Sequence, residues 1–237
     1  MFTILSRCWK RLFKKRQHIL VIFPGFGILP QEYKIVIPEH VPTIFLNIWS
    51  TPEMEHIQKY VGPPGTDSYN TWYEKKILEC EDVILEHLKL RKNEDFKLVY
   101  FGHSLGGLMA QDCASRSKRR IRVICYGTNR KNEDAVMILG SNDMLIRKYY
   151  TTLPKSTEKT IIIEGGTHFS CVTKQGMQRS EKWRRRLHID KIPEPYENFI
   201  FTRSQIANHL RSYIGVLNSY KNIKSVSYTH LRAHETE

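Results

Sequence analysis

The stretch Gly102-His103-Ser104-Leu105-Gly106-Gly107 links the apolar run Lys97–Phe101 to Leu108–Ala114, which has the composition of a helix start. Glycines two residues before and two after a serine let a strand and a helix meet at a tight turn without a side-chain clash. The serine then sits on strained backbone with its hydroxyl projecting. The N–H groups of the first helical turn face the reacting oxygen. The chemistry such a turn serves is nucleophilic attack by Ser104. A serine hydroxyl is a weak nucleophile unaided, so a base must accompany it.

Two later segments offer the base and a group to orient it. Ala135–Gly140 is a continuous apolar run that reads as a buried strand, and it ends in Ser141-Asn142-Asp143. Thr160–Glu164 is a second such run, ending in Gly165-Gly166-Thr167-His168. Each polar residue falls just past a strand's C-terminal end, the edge where chemistry gathers in open parallel sheets. His168 would take the serine proton, and Asp143 would hold the imidazole in the right tautomer. Glu133 and Asp134 are rivals for the acid, and Asp143 could instead serve as a strand-end cap or turn residue. Neighbours on a tight turn point apart, so His103 is expected to pack against the sheet. Glu164 is expected to be structural.

The elements that must position these groups are readable along the chain. Strands are predicted at His18–Phe23, Thr43–Trp49, Lys97–Phe101, Ile121–Tyr126, Ala135–Gly140 and Thr160–Glu164. A helix capped by Asp67 or Ser68 is predicted to run to about Leu90, with Trp72, Ile77, Cys80, Ile84 and Leu88 at near-helical spacing. A closing helix is predicted over Ile206–Tyr220, with Ile206, Leu210, Ile214 and Leu217 on one stripe. Strands alternating with helices give an α/β fold: a mostly parallel sheet of about six strands with helices on both faces. Only Gly127–Asp134 separates the fourth and fifth strands. A parallel crossover normally takes a dozen residues or more, which puts the fourth strand or its pairing in question.

With GHSLGG, LGSND, EGGTHF and Val21-Ile22-Phe23-Pro24-Gly25-Phe26-Gly27 on the page, the chain resembles the α/β-hydrolase superfamily from about His18 to Lys224. The chain order Ser104, Asp143, His168 is that family's order. The resemblance implies a serine hydrolase acting on carboxylic esters, esterase- or lipase-like, through an acyl-enzyme and without a cofactor or metal. It implies an oxyanion hole at the backbone N–H groups of Phe26 and Leu105, and elbow glycines at Gly102, Gly106 and Gly107. Pro24 stands where the family's first oxyanion loop carries histidine, but the donor survives because it is main chain. There is no room for the two leading antiparallel strands of many members. The short link after the fourth strand leaves none for a cap, so a minimal, capless enzyme with an open site is expected. The segment Cys171–Tyr196 could cover it in part. Thioester or amide cleavage would use the same groups, and a catalytically inert hydrolase-fold binding protein is the alternative from another class.

Composition bounds the rest. At 237 residues, 41% hydrophobic and 26% charged, the chain suits one globular domain. No run of 18 apolar residues occurs, so no transmembrane helix is expected. Five cysteines in no paired or metal-like spacing, with no secretory signal, predict a reducing, cytoplasmic setting. The net charge of +13 is concentrated. Met1–Gln17 has no acidic residue, carries six Lys and Arg, and sets Phe2, Leu5, Trp9, Leu12 and Phe13 on one helical face. Docking on an anionic membrane surface, an organelle presequence and a packed terminal helix are the readings of this segment, and the first favours lipid-derived acyl esters. A second basic segment, Lys174–Lys191, is read as a solvated loop or an anionic-lipid contact. No nucleic-acid motif accompanies it, and no nucleic-acid partner is expected. Ser225–Thr236, SVSYTHLRAHET, matches a translated transposase sequencing adapter. Residues 225–237 are therefore set aside, and His230 and His234 enter no site.

Overall fold

The computed structural model describes residues 17–89, 96–129, 131–150, 152–190, 192 and 200–214. The basic segment 1–16 and the tail 225–237 lie outside the described residues. The strands are β1 (Gln17–Phe23), β2 (Thr43–Phe45), β3 (Phe96–His103), β4 (Arg122–Tyr126), β5 (Val136–Gly140) and β6 (Thr160–Ile163). The helices are α1 (Thr51–His56), α2 (Asp67–Lys89), α3 (Leu105–Arg116), α4 (Met144–Tyr149), α5 (Lys174–Arg186) and α6 (Ile200–Ile214). A 3₁₀ turn at Pro30–Tyr33 and a π turn at Ile57–Val61 complete the order.

The six strands form one sheet in the order β2-β1-β3-β4-β5-β6 with every pairing parallel. Both faces are covered, which is why the strands read as unbroken apolar runs rather than alternating ones. Side chains alternate between two cores. Val21, Phe23, Tyr100, Cys125 and Met137 face the core built with α2 and α3. Leu20, Ile22, Phe101, Tyr126 and Ile138 face Tyr33 and the α6 stripe Ile206, Leu210 and Ile214.

Several expectations need correction. The second strand stops at Phe45. Leu46, whose N–H still donates to Ile22 O at 3.3 Å, Ile48 and Trp49 are nevertheless buried, so beyond Leu46 the apolar run reports burial beside the sheet rather than pairing within it. Helix α2 begins as expected, but its first turn is capped by Thr66, whose Oγ1 accepts from Tyr69 N–H at 3.2 Å. The closing helix starts at Ile200, earlier than its stripe indicates, and the expected stretch beyond Ile214 lies outside the described residues. The basic segment after the histidine is the helix α5 and not a loop. Thr173 Oγ1 accepts from Gly176 N–H at its start.

The short link between β4 and β5 is a true parallel connection, with Ile124, Cys125 and Tyr126 in register with Val136, Met137 and Ile138. It carries no helix of its own. Gln111 of α3, 1% exposed, does the bracing instead. Its Nε2 donates to the carbonyls of Gly107 (3.2 Å) and Asn129 (3.0 Å). Its Oε1 accepts from the N–H groups of Lys131 (2.7 Å) and Asn132 (2.9 Å). One buried amide thus satisfies the backbone groups that a longer crossover would pair within a helix.

Candidate active site

The reversal of strand order lies between β2-β1 and β3, and ligands in open α/β sheets collect at the carboxyl ends of strands at such a point. Ser104 follows β3 there with φ 52° and ψ −125°. A positive φ is costly for a residue with a Cβ. Its side chain does not cap α3, so the hydroxyl is not spent on the helix it introduces. The glycines around it are required by contact. A Cβ on Gly102 would lie 2.5 Å from Gly107 Cα, and one on Gly106 would lie 2.2 Å from the Phe23 carbonyl oxygen and 2.4 Å from that of Pro24. The serine turn is therefore pressed onto the loop that leaves β1.

That loop, Pro24–Gly27, is held on several sides. Trp49 Nε1 donates to Pro24 O at 2.7 Å. Ser180 Oγ of α5 donates to Phe26 O at 2.6 Å. Arg179 donates to Gly27 O and, at 2.8 Å, to Trp49 O. Carbonyls are thus tied outward. Among the described residues, no hydrogen bond engages the N–H of Phe26 or Leu105.

The structure brings Asp143 and His168 together. Asp143 is fully buried and His168 is 1% exposed. His168 Nδ1 donates to Asp143 Oδ2 at 2.9 Å, so base chemistry would fall to Nε2. Asp143 Oδ1 accepts from Leu145 and Ile146 N–H, both at 3.0 Å. It is therefore cap and histidine partner at once, one oxygen for each task. Gly127, with φ 59°, lies against the pair, and a Cβ there would stand 2.9 Å from Asp143 Oδ2 and 3.1 Å from His168 Nδ1. The rival acids do not approach this place. Glu133 and Asp134 are exposed and precede β5, at the sheet's opposite edge, and Asp134 pairs with Lys159 at 2.9 Å. Glu164 is structural, its Oε1 accepting from Ser141 Oγ at 3.1 Å.

His103 does more than pack against the sheet. It is fully buried. Its Nε2 lies 2.9 Å from the His168 carbonyl, which can only accept, so Nε2 carries the proton. Its Nδ1 then accepts from Tyr33 Oη at 2.7 Å, and Tyr33 Oη accepts from Gly25 N–H at 2.8 Å. This relay joins the loop after β1, the serine turn and the histidine loop. The rings of His103 and His168 stand 4.9 Å apart. Ser104 N–H donates to Tyr126 O at 2.9 Å, and the next residue, Gly127, lies against Asp143 and His168, so the serine turn and the pair share one end of the sheet. Burial, aided by the nearby His168 ring, holds the His103 pKa well below the ordinary histidine value, against the raising effect of its bond to the His168 carbonyl.

A pH dependence follows. Below about pH 6.5 the unfolded chain protonates this histidine while the folded one resists, so the unfolded state binds more protons and stability falls as pH falls. Thermal unfolding from pH 7.5 to 5.5 is expected to show this, at up to about 1.4 kcal/mol per pH unit from His103. The slope should flatten in His103→Gln, and an equal slope in that variant would refute the assignment. His18 and His209, also depressed by partial burial, add smaller contributions of the same sign.

Helix α5, within the segment Cys171–Tyr196, packs on the loop that leaves β1. Ser180 contacts the β1 loop, and the C-terminal end reaches the cleft beside α4 that follows β5. The two strand ends are three spacings apart, about 14 Å, well within a 13-residue helix of about 20 Å. Trp183 and Leu187 join Phe26, Trp49, Leu105 and Ile146 in one apolar cluster. Neither Gln111, Tyr33 nor the buried face of α5 carries a local motif, and none was identified from the sequence.

The sequence matches no protein-family model and no curated protein. Among solved structures it is similar to a peroxisomal alpha-beta-hydrolase of Saccharomyces cerevisiae, at 10% identity and TM-score 0.47, covering 89% of this chain and 88% of that one. It is also similar to dienelactone hydrolase of Anabaena variabilis, at 15% identity and TM-score 0.46, covering 75% and 89%. The six parallel strands in the order 2-1-3-4-5-6, the serine turn after β3, and the acid and histidine after β5 and β6 give this chain the α/β-hydrolase fold.

Proposed function

We propose that the protein is a serine hydrolase of carboxylic esters. The observation that carries this reading is the buried Asp143–His168 pair and, at the same end of the sheet, a serine on strained backbone at the switch point. Ser104 Oγ attacks the ester carbonyl carbon while His168 Nε2 takes its proton. The N–H groups of Phe26 and Leu105 stabilise the oxyanion. The imidazolium, steadied by Asp143, then protonates the departing alcohol. Water, deprotonated by the same nitrogen, releases the acid and restores the serine.

The test is labelling by a fluorophosphonate probe. The wild-type chain is expected to label and Ser104→Ala to remain unlabelled at an unchanged melting temperature. Folded wild type that takes no label would move the reading to an inert binding protein.

A further inference from the structure

The loop that carries the Phe26 N–H is fixed one peptide earlier. Proline has no N–H, so the first donor after Phe23 is Gly25. The Pro24–Gly25 peptide is held at both ends. Its carbonyl accepts from Trp49 Nε1 at 2.7 Å, and its N–H donates to Tyr33 Oη at 2.8 Å. The next peptide bears the Phe26 N–H, and its carbonyl, Gly25 O, accepts from Ile28 N–H at 3.0 Å. On its other side the loop rests on an imidazole: a Cβ on Gly25 would stand 2.7 Å from His103 Nδ1. Tyr33 Oη donates to that same Nδ1 at 2.7 Å, and His103 Nε2 donates to the carbonyl of His168 at 2.9 Å. Tyr33 and His103 are both fully buried. Each bond therefore spans groups that would otherwise be left unpaired away from water.

We propose that Tyr33 and His103 are positioning residues for ester cleavage, together holding the Phe26 N–H at a set distance from His168 so that oxyanion donor and base meet one substrate. Both act through main chain, on the Gly25 amide and the His168 carbonyl. The proposal rests on the ester-hydrolase reading for its effect on rate, but not for its effect on the loop. A misplacement of about 1 Å at a reacting centre costs on the order of 10²-fold in rate, which sets the scale of the loss.

The test pairs steady-state kinetics on p-nitrophenyl butyrate with amide hydrogen exchange read by NMR, each variant held below its melting transition. Tyr33→Phe removes one oxygen and keeps the ring. It is expected to lower kcat by about 10- to 100-fold with KM within about threefold, and to speed exchange of the Gly25 amide by about tenfold or more. His103→Leu should behave alike. His103→Gln keeps one donor and one acceptor and should recover most of kcat. Because the two residues form one chain of bonds, Tyr33→Phe with His103→Leu should be no slower than the slower single variant, whereas independent packing losses would multiply. Wild type that neither labels nor turns over, with faster Gly25 exchange in Tyr33→Phe, refutes the hydrolase reading and supports the positioning of the loop. Tyr33→Phe with the kcat of an active wild type, or with wild-type exchange at Gly25, overturns the proposal, as do losses that multiply in the double variant.

Discussion

Asp143→Asn is expected to lower kcat on a short-chain p-nitrophenyl ester by about 10⁴-fold, and His168→Ala by about 10⁴- to 10⁶-fold. The asparagine variant is the sharper of the two. Its side-chain oxygen can still accept from Leu145 and Ile146, so α4 keeps its cap. What changes is the atom facing His168. An amide nitrogen cannot accept the Nδ1 proton, so the imidazole is driven to the tautomer with its proton on Nε2, where it cannot act as base toward Ser104. Because the pair is wholly buried, water cannot substitute for the missing acceptor. Steady-state kinetics beside thermal unfolding decide the matter: a large loss of kcat with a small loss of stability is the expected pattern. An asparagine variant within tenfold of wild type would remove Asp143 from the chemistry and leave it a helix cap.

Gly106→Ala is expected to be among the most damaging methyl additions at the described glycines, together with Gly140→Ala, whose Cβ would stand 2.2 Å from the Gly166 carbonyl oxygen. At Gly106 the added carbon would stand 2.2 Å from one backbone oxygen and 2.4 Å from the next, and backbone cannot rotate away as a side chain can. At Gly107 the nearest atom is a Thr128 methyl, which has that freedom. Overpacking typically costs about 1–3 kcal/mol, and a clash with strand backbone belongs at the upper end. For a domain of this size that lowers the melting temperature by about 6–12 °C. The β1 loop would also be pushed from Leu105, spoiling the spacing of the two proposed oxyanion donors, so residual folded enzyme should lose activity as well. A melting point within 2 °C of wild type would show that the strand and helix can separate at no cost.

What the chain reveals by itself are features whose physics is local or periodic. Parallel strands buried on both faces must be apolar throughout, so five strands were legible nearly to the residue. The serine turn was legible because strained backbone between close elements admits only small neighbours, and Gly102 and Gly106 mark it at fixed spacing. Asp143 and His168 were legible because each follows a strand's carboxyl end. The second strand was overextended because burial and pairing look alike in an apolar run: Trp49 is buried against Trp72 and Phe26 rather than in the sheet.

Tertiary structure alone decided which distant groups complete the site. Tyr33 and His103 are 70 positions apart, and Ser180 and Phe26 are 154 apart. No periodicity or motif links such pairs, since a hydrogen bond across the fold depends on where each loop lands and not on the residues beside it. The same holds for Gln111, whose amide replaces a crossover helix, and for α5, whose charge suggested solvent while its buried edge, Ser180 and Trp183, braces the loop after β1. The sequence thus determines the sheet and the order of Ser104, Asp143 and His168 along it. Only the packed chain determines what holds them in place, because packing couples positions that sequence spacing leaves independent.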